Sequence, residues 1–225
     1  MSCIVLWLAI FDSRIMTVVA NNYIFTAVKL KFMDKGNDNP RTLLLVDVQW
    51  LNVQVDGFVE YMQRRIGRKL DDMDFVRLCV CALLDAGIER AGGTVEVGLL
   101  DDSADGRLHH AVPADMSGEL DGYAYDTMVG RIAFSLTPTL GLSSVADMCV
   151  DLAGQLLQMK ALRHLVVLAD AATCQAVADM VDKADEAPVL VRFANDGRET
   201  GDGHDVCQLA YPLLNAFGIR PEELD

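Results

Sequence analysis

Apolar residues along this chain fall into short unbroken runs that alternate with stretches of helical period. Leu43-Leu44-Leu45-Val46 is continuous, as expected of a central strand covered on both faces, and the run ends at Asp47. Val55, Phe58, Val59, Met62 and Ile66 then recur at helical spacing, and Gly67 stops this helix behind the basic turn Arg64-Arg65. Asp71 or Asp72 is placed to cap a second helix, whose stripe of Phe75, Leu78, Cys79, Ala82 and Ala86 closes at Gly87.

The alternation continues to the end of the chain. Thr94 to Leu100 reads as a strand ending at Asp101-Asp102, followed by a polar loop to about Gly118. Arg131 to Leu136 is a third strand. Ser144 and Asp147 then form a capping-box-like start for a helix through Met148, Leu152, Leu156 and Met159. His164 to Ala169 is a strand ended by Asp170, with Thr173 as the expected cap of a helix through Val177, Met180 and Val181. Val189 to Ala194 is the last strand, and Val206, Leu209, Ala210, Leu213 and Phe217 line a terminal helix. Five strand-helix alternations predict an α/β fold: a three-layer α/β/α architecture on a mostly parallel five-stranded sheet, Rossmann-like in outline.

The first 32 residues differ from the rest. They hold one acid, Asp12, and three bases, Arg14, Lys29 and Lys31, whereas the whole chain has 33 acids against 19 bases. Met1 to Phe11 lacks the basic start of a secretory signal, and Asp12, Arg14 and Asn21-Asn22 interrupt any membrane span. Residues 1–40 are therefore expected to be an extension, with Met33 as the native start, or else an extra helix or strand packed on the domain. Residues 41–225 are expected to form a single α/β domain.

A net charge of -14 argues against broad capture of nucleic acid or anionic membrane. Six cysteines at no zinc-ligand spacing read as reduced core thiols, which places the protein in the cytoplasm. In open α/β sheets ligands bind beyond the carboxyl ends of the strands, and three strands here end in aspartate. Asp47, Asp101 or Asp102, and Asp170 would share one crevice if their strands are neighbours. Clustered carboxylates there call for a hard cation such as Mg²⁺, which can orient water for phosphodiester hydrolysis. The other reading is that these aspartates cap helices.

Two segments carry a family resemblance: Leu45-Val46-Asp47-Val48-Gln49-Trp50-Leu51-Asn52 and Val166-Val167-Leu168-Ala169-Asp170-Ala171-Ala172-Thr173. They resemble the acidic strand ends of NYN domains, the PIN-like ribonuclease group. The resemblance implies that Asp47 and Asp170 are metal-holding catalytic acids, that Asn52 positions substrate or water, and that RNA is the substrate. Ala172 departs from it, because NYN domains place a second aspartate there. The chain also resembles a bacterial family with this strand order and a closing Phe217-Gly218-Ile219-Arg220-Pro221-Glu222-Glu223-Leu224 segment. Ala172 and the acidic charge favour a catalytically silent relative that binds a protein, a small ligand or a second copy of itself. The alternative is a Mg²⁺-dependent ribonuclease-like phosphodiesterase.

Further candidates are weaker. Arg64-Arg65-Ile66-Gly67-Arg68-Lys69 either grips phosphate or complements the helix dipole. His109 and His110 follow Asp101, Asp102 and Asp105 as a ligand set or as solvated loop residues. Asp196, Glu199, Asp202 and Asp205 lack the EF-hand order, and no Walker or Gly-x-Gly-x-x-Gly loop follows any strand.

Overall fold

In the computed structural model the apolar run at Leu43 forms the middle of the molecule, and its four residues are fully buried. The structure describes residues 41–224 except 90, 92, 160 and 195–203. The expectations for residues 1–40 and for Asp196, Glu199 and Asp202 lie outside the described residues. In chain order, β1 (Arg41–Asp47) leads directly into α1 (Val48–Ile66). A two-residue β2 (Met73–Asp74) precedes α2 (Phe75–Asp85), and β3 (Thr94–Asp101) follows. After β4 (Ala111–Val112) and a π turn at Met116–Leu120 come β5 (Ala124–Thr127) and β6 (Gly130–Pro138). The second half runs α3 (Val145–Leu156), β7 (Leu162–Leu168), α4 (Ala171–Val181), β8 (Val189–Ala194), β9 (Asp205–Gln208) and α5 (Ala210–Ala216).

The expected five-stranded, PIN-like sheet is not what forms. The main sheet has seven strands in the order β5-β6-β3-β1-β7-β8-β9, with β5 antiparallel to β6 and the other pairs parallel. Two short strands make the difference. β5 closes a tight hairpin onto β6, in which Gly130 takes φ 126° and its carbonyl accepts the Thr127 hydroxyl at 2.7 Å. β9 adds a seventh strand beside β8, so Val206 belongs to the sheet and the terminal helix starts only at Ala210. A separate parallel pair, β2 with β4, anchors the long loop after β3.

The period-2 geometry of β1 divides the core. Leu44 and Val46 join the cluster built with α1, α2 and α5, while Leu43 and Leu45 join the one built with α3 and α4. β1 is thus covered on both faces, as its unbroken apolar run requires. No helix among the described residues is long and apolar enough to cross a membrane.

Truncating a side chain at this depth leaves a cavity that the packed sheet cannot close. Leu45→Ala is expected to lower unfolding free energy by about 2–5 kcal/mol in urea denaturation. Met128→Ala, at a site 75% exposed, should stay within about 0.5 kcal/mol of wild type. Equal small effects would mean that β1 is not enclosed.

Candidate functional site

β1 lies between β3 and β7, and the chain builds outward from it in both directions, so its carboxyl end is where a crevice is expected. Val46 is in register with Leu168 and Asp47 with Leu100, which brings Asp47, Asp101 and Asp170 to one rim. What each carboxylate does there is set by the nearest backbone amides. Asp47 caps α1 by accepting the Trp50 amide at 2.9 Å. Asp170 caps α4, accepting the amides of Ala172 and Thr173 at 2.8 and 3.1 Å and the Thr173 hydroxyl at 2.6 Å. Asp101 accepts the Ser103 amide at 3.0 Å and its hydroxyl at 2.8 Å. Asp102 turns away to accept the Thr139 hydroxyl. Each bond satisfies a group that the start of a helix or turn leaves open.

These environments split the acids. Burial pushes Asp47 above the ordinary carboxyl value of 3.8; the Trp50 amide opposes this, and the neighbouring Asp170 and Asp101 add to it. Burial also acts on Asp170, but the Thr173 hydroxyl and the two amides outweigh it, and its pKa falls. Asn52, 6% exposed, bonds at both ends of its amide: its Nδ2 donates to the Arg107 carbonyl at 3.0 Å and its Oδ1 accepts the His109 amide at 2.9 Å. It pins the loop after β3 to α1. Among the described residues, no three His, Cys, Asp or Glu side chains are grouped to hold a metal ion. At the rim, both oxygens of Asp101 and of Asp170 already accept hydrogen bonds from their own turns.

The weaker candidates are also tied within the fold. His109 Nδ1 sits 2.9 Å from Asp56 and His110 Nε2 3.5 Å from the same carboxylate, so both loop histidines face α1 rather than Asp101, Asp102 or Asp105. In the basic run, Arg64 pairs with Glu60 at 3.3 Å, Arg65 donates to the Leu224 carbonyl, and Arg68 holds Glu223 at 2.7 Å. The Arg68 contact and the Arg220 amide draw Glu223 down to about 2. The run closes the C-terminal turn over the end of α1, where Gly67 takes the left-handed φ of 70°.

A feature missed in the sequence lies beside this turn, where Arg65 and Leu224 border it. An open groove of about 470 Å³ runs between α1 and α5. Gly57, Phe58 and Met62 form one wall, Ala210 and Leu214 the other, and Leu224 one end. Val53 and Tyr61 stand exposed along it. The signal in the sequence was Gly57, inside a 19-residue helix where glycine costs about 0.5–1 kcal/mol relative to alanine.

A mixed sheet with helices on both faces, capped at an acidic rim and grooved on one helical face, defines an α/β domain. The chain belongs to the Family of unknown function DUF6621, which matches it over residues 38–224. No curated protein and no solved structure matches the chain, so the resemblance to NYN domains stands on the two quoted segments alone.

A pH effect follows from Asp47. Its folded pKa lies above 3.8, so its charge weighs against the folded state as pH rises through that folded value, and this cost is absent below the unfolded value. Asparagine caps as well as aspartate and carries no charge. Asp47→Asn should match or exceed wild type in thermal unfolding at pH 7 and lose any advantage as acidification protonates Asp47. Asp47→Ala, lacking the cap, should fall about 0.5–2 kcal/mol below Asp47→Asn. An Asp47→Asn variant less stable than wild type at pH 7 would show that the carboxylate is stabilised there.

Proposed function

We propose that this domain is a non-catalytic binding module whose working surface is the groove between α1 and α5. The observation that carries the reading is that Asp47, Asp101 and Asp170 each accept from their own helix start or turn, and Asp102 from the Thr139 hydroxyl. A hydrolytic metal centre needs carboxylate oxygens open to a cation, and both oxygens of Asp101 and of Asp170 already accept amides or hydroxyls. The groove supplies what a binding site needs instead: concave apolar surface with a few polar groups at its edge. An acidic chain is also a poor match for RNA.

The alternative, a Mg²⁺-dependent ribonuclease-like phosphodiesterase, has one observation in its favour. Asp170 and Asp101 both raise the pKa of Asp47, which puts three carboxylates within electrostatic reach of one another. A cytoplasmic location fits either reading and is supported by the free thiols of Cys79, Cys81, Cys149, Cys174 and Cys207. Burial pushes the Cys174 thiol up to about 11, as for an inert core residue.

Titration calorimetry with Mg²⁺ and Mn²⁺ separates the two. The binding-module reading expects no saturable heat at millimolar metal, in wild type or in Asp47→Ala and Asp170→Ala. Saturable binding that either substitution abolishes would overturn it and restore the phosphodiesterase.

A further inference from the structure

Arg65 is the one charged residue among the described residues that line the groove, and the fold does not neutralise it. Among those residues its guanidinium meets only the Leu224 carbonyl, which occupies part of the donor fork and brings no charge. The bases on either side of it differ, since Arg64 pairs with Glu60 and Arg68 with Glu223. A guanidinium is a planar fork that matches a carboxylate, and this one stands exposed where an apolar wall begins.

The rest of the groove has the shape of a slot for hydrocarbon. Phe58, Met62 and Leu214 line it, and Gly57 keeps it deep, because a Cβ built there meets nothing within 4 Å. Along α1 the lining runs from Val53 to Arg65, a length of about 18 Å at the helical rise. Arg65 and Leu224, joined by their bond, stand together at one end. The volume of about 470 Å³ lies within the usual range of small-ligand sites. A cation at one end of an apolar slot selects an elongated molecule with an anionic head and an apolar tail. The net charge of -14 opposes an anion only weakly at this place: remote charges are screened beyond about 10 Å in 0.1 M salt, whereas the head would touch Arg65.

We infer that the groove binds an alkyl carboxylate of medium chain length, its carboxylate on Arg65 and its chain passing Gly57 toward Val53. The inference rests on the reading of the domain as a binding module and names that module's ligand class. It is tested by titration calorimetry of dodecanoate into the full chain, in EDTA and about 0.1 M salt. Wild type should bind saturably with a Kd below about 100 µM, and dodecylamine, with the same tail and a cationic head, at least about tenfold more weakly. Arg65→Met, which keeps the stem and removes the charge, should weaken dodecanoate by at least about tenfold, with Arg65→Lys between it and wild type. Gly57→Leu should weaken dodecanoate as much by filling the slot, with the unfolding midpoint preserved, and serves if Arg65→Met fails to fold.

No saturable heat up to about 1 mM dodecanoate, equal binding of the two head groups, or binding indifferent to both Arg65→Met and Gly57→Leu overturns the inference. So does a wild type that dimerises without ligand and is returned to monomer by Gly57→Leu, because the occupant is then a second copy. EDTA keeps this result separate from the metal titration. A chain that binds neither dodecanoate nor metal loses only the ligand class, while metal binding that depends on Asp47 removes the binding-module reading itself.

Discussion

The structure depends on how a buried strand hands the chain to a helix. At the carboxyl rim of a parallel sheet, each helix start exposes backbone N–H groups with no partner in the helix, close to a core that excludes water. This chain answers at the rim with aspartates. Asp47 and Asp170 turn back onto the first amides of α1 and α4, Asp74 does the same for α2 away from the main sheet, and Ser144 serves α3. The rim is acidic because its turns require acceptors. Crowding follows as a consequence: Asp47, 6% exposed, holds its charge against burial, and against two neighbouring acids, with the amides of Trp50 and Gln49.

That constraint explains which parts of the fold were legible. The unbroken run at Leu43, the glycine stop at Gly67 and the Ser144–Asp147 start each encode a local outcome strong enough to survive packing, and each is found in place. β5 and β9 were missed because four residues such as Ala124–Thr127 or Asp205–Gln208 carry no clear alternation. They become strands only because β6 and β8 offer an edge to pair with. The caps of α2 and α4 were placed wrongly for a related reason. Asp74 and Asp170 sit closer to the first helical amide than Asp71, Asp72 or Thr173, and Thr173 donates its hydroxyl to the true cap.

The candidate site divides along the same line. That Asp47, Asp101 and Asp170 end neighbouring strands was readable; whether they hold a cation or an amide was not, because the answer lies in side-chain direction. Asp56 as the partner of both loop histidines had no signal at all, being distant from them in sequence. The groove had one signal, a glycine inside a helix, but its far wall comes from α5 at the other end of the chain. The proposed binding role accordingly falls not at the strand ends, where the fold uses its own polar groups, but on a helical face where apolar surface stays uncovered.

The central claim is that the rim carboxylates belong to the fold. Carboxyl-detected NMR titration of Asp47 and Asp170, with and without Mg²⁺, addresses it residue by residue. The account predicts that Asp170 titrates below 3.8 and Asp47 above it, with both curves unmoved by the metal. An Asp47 that titrates below 3.8, or resonances of both residues that shift together as Mg²⁺ is added, would contradict it.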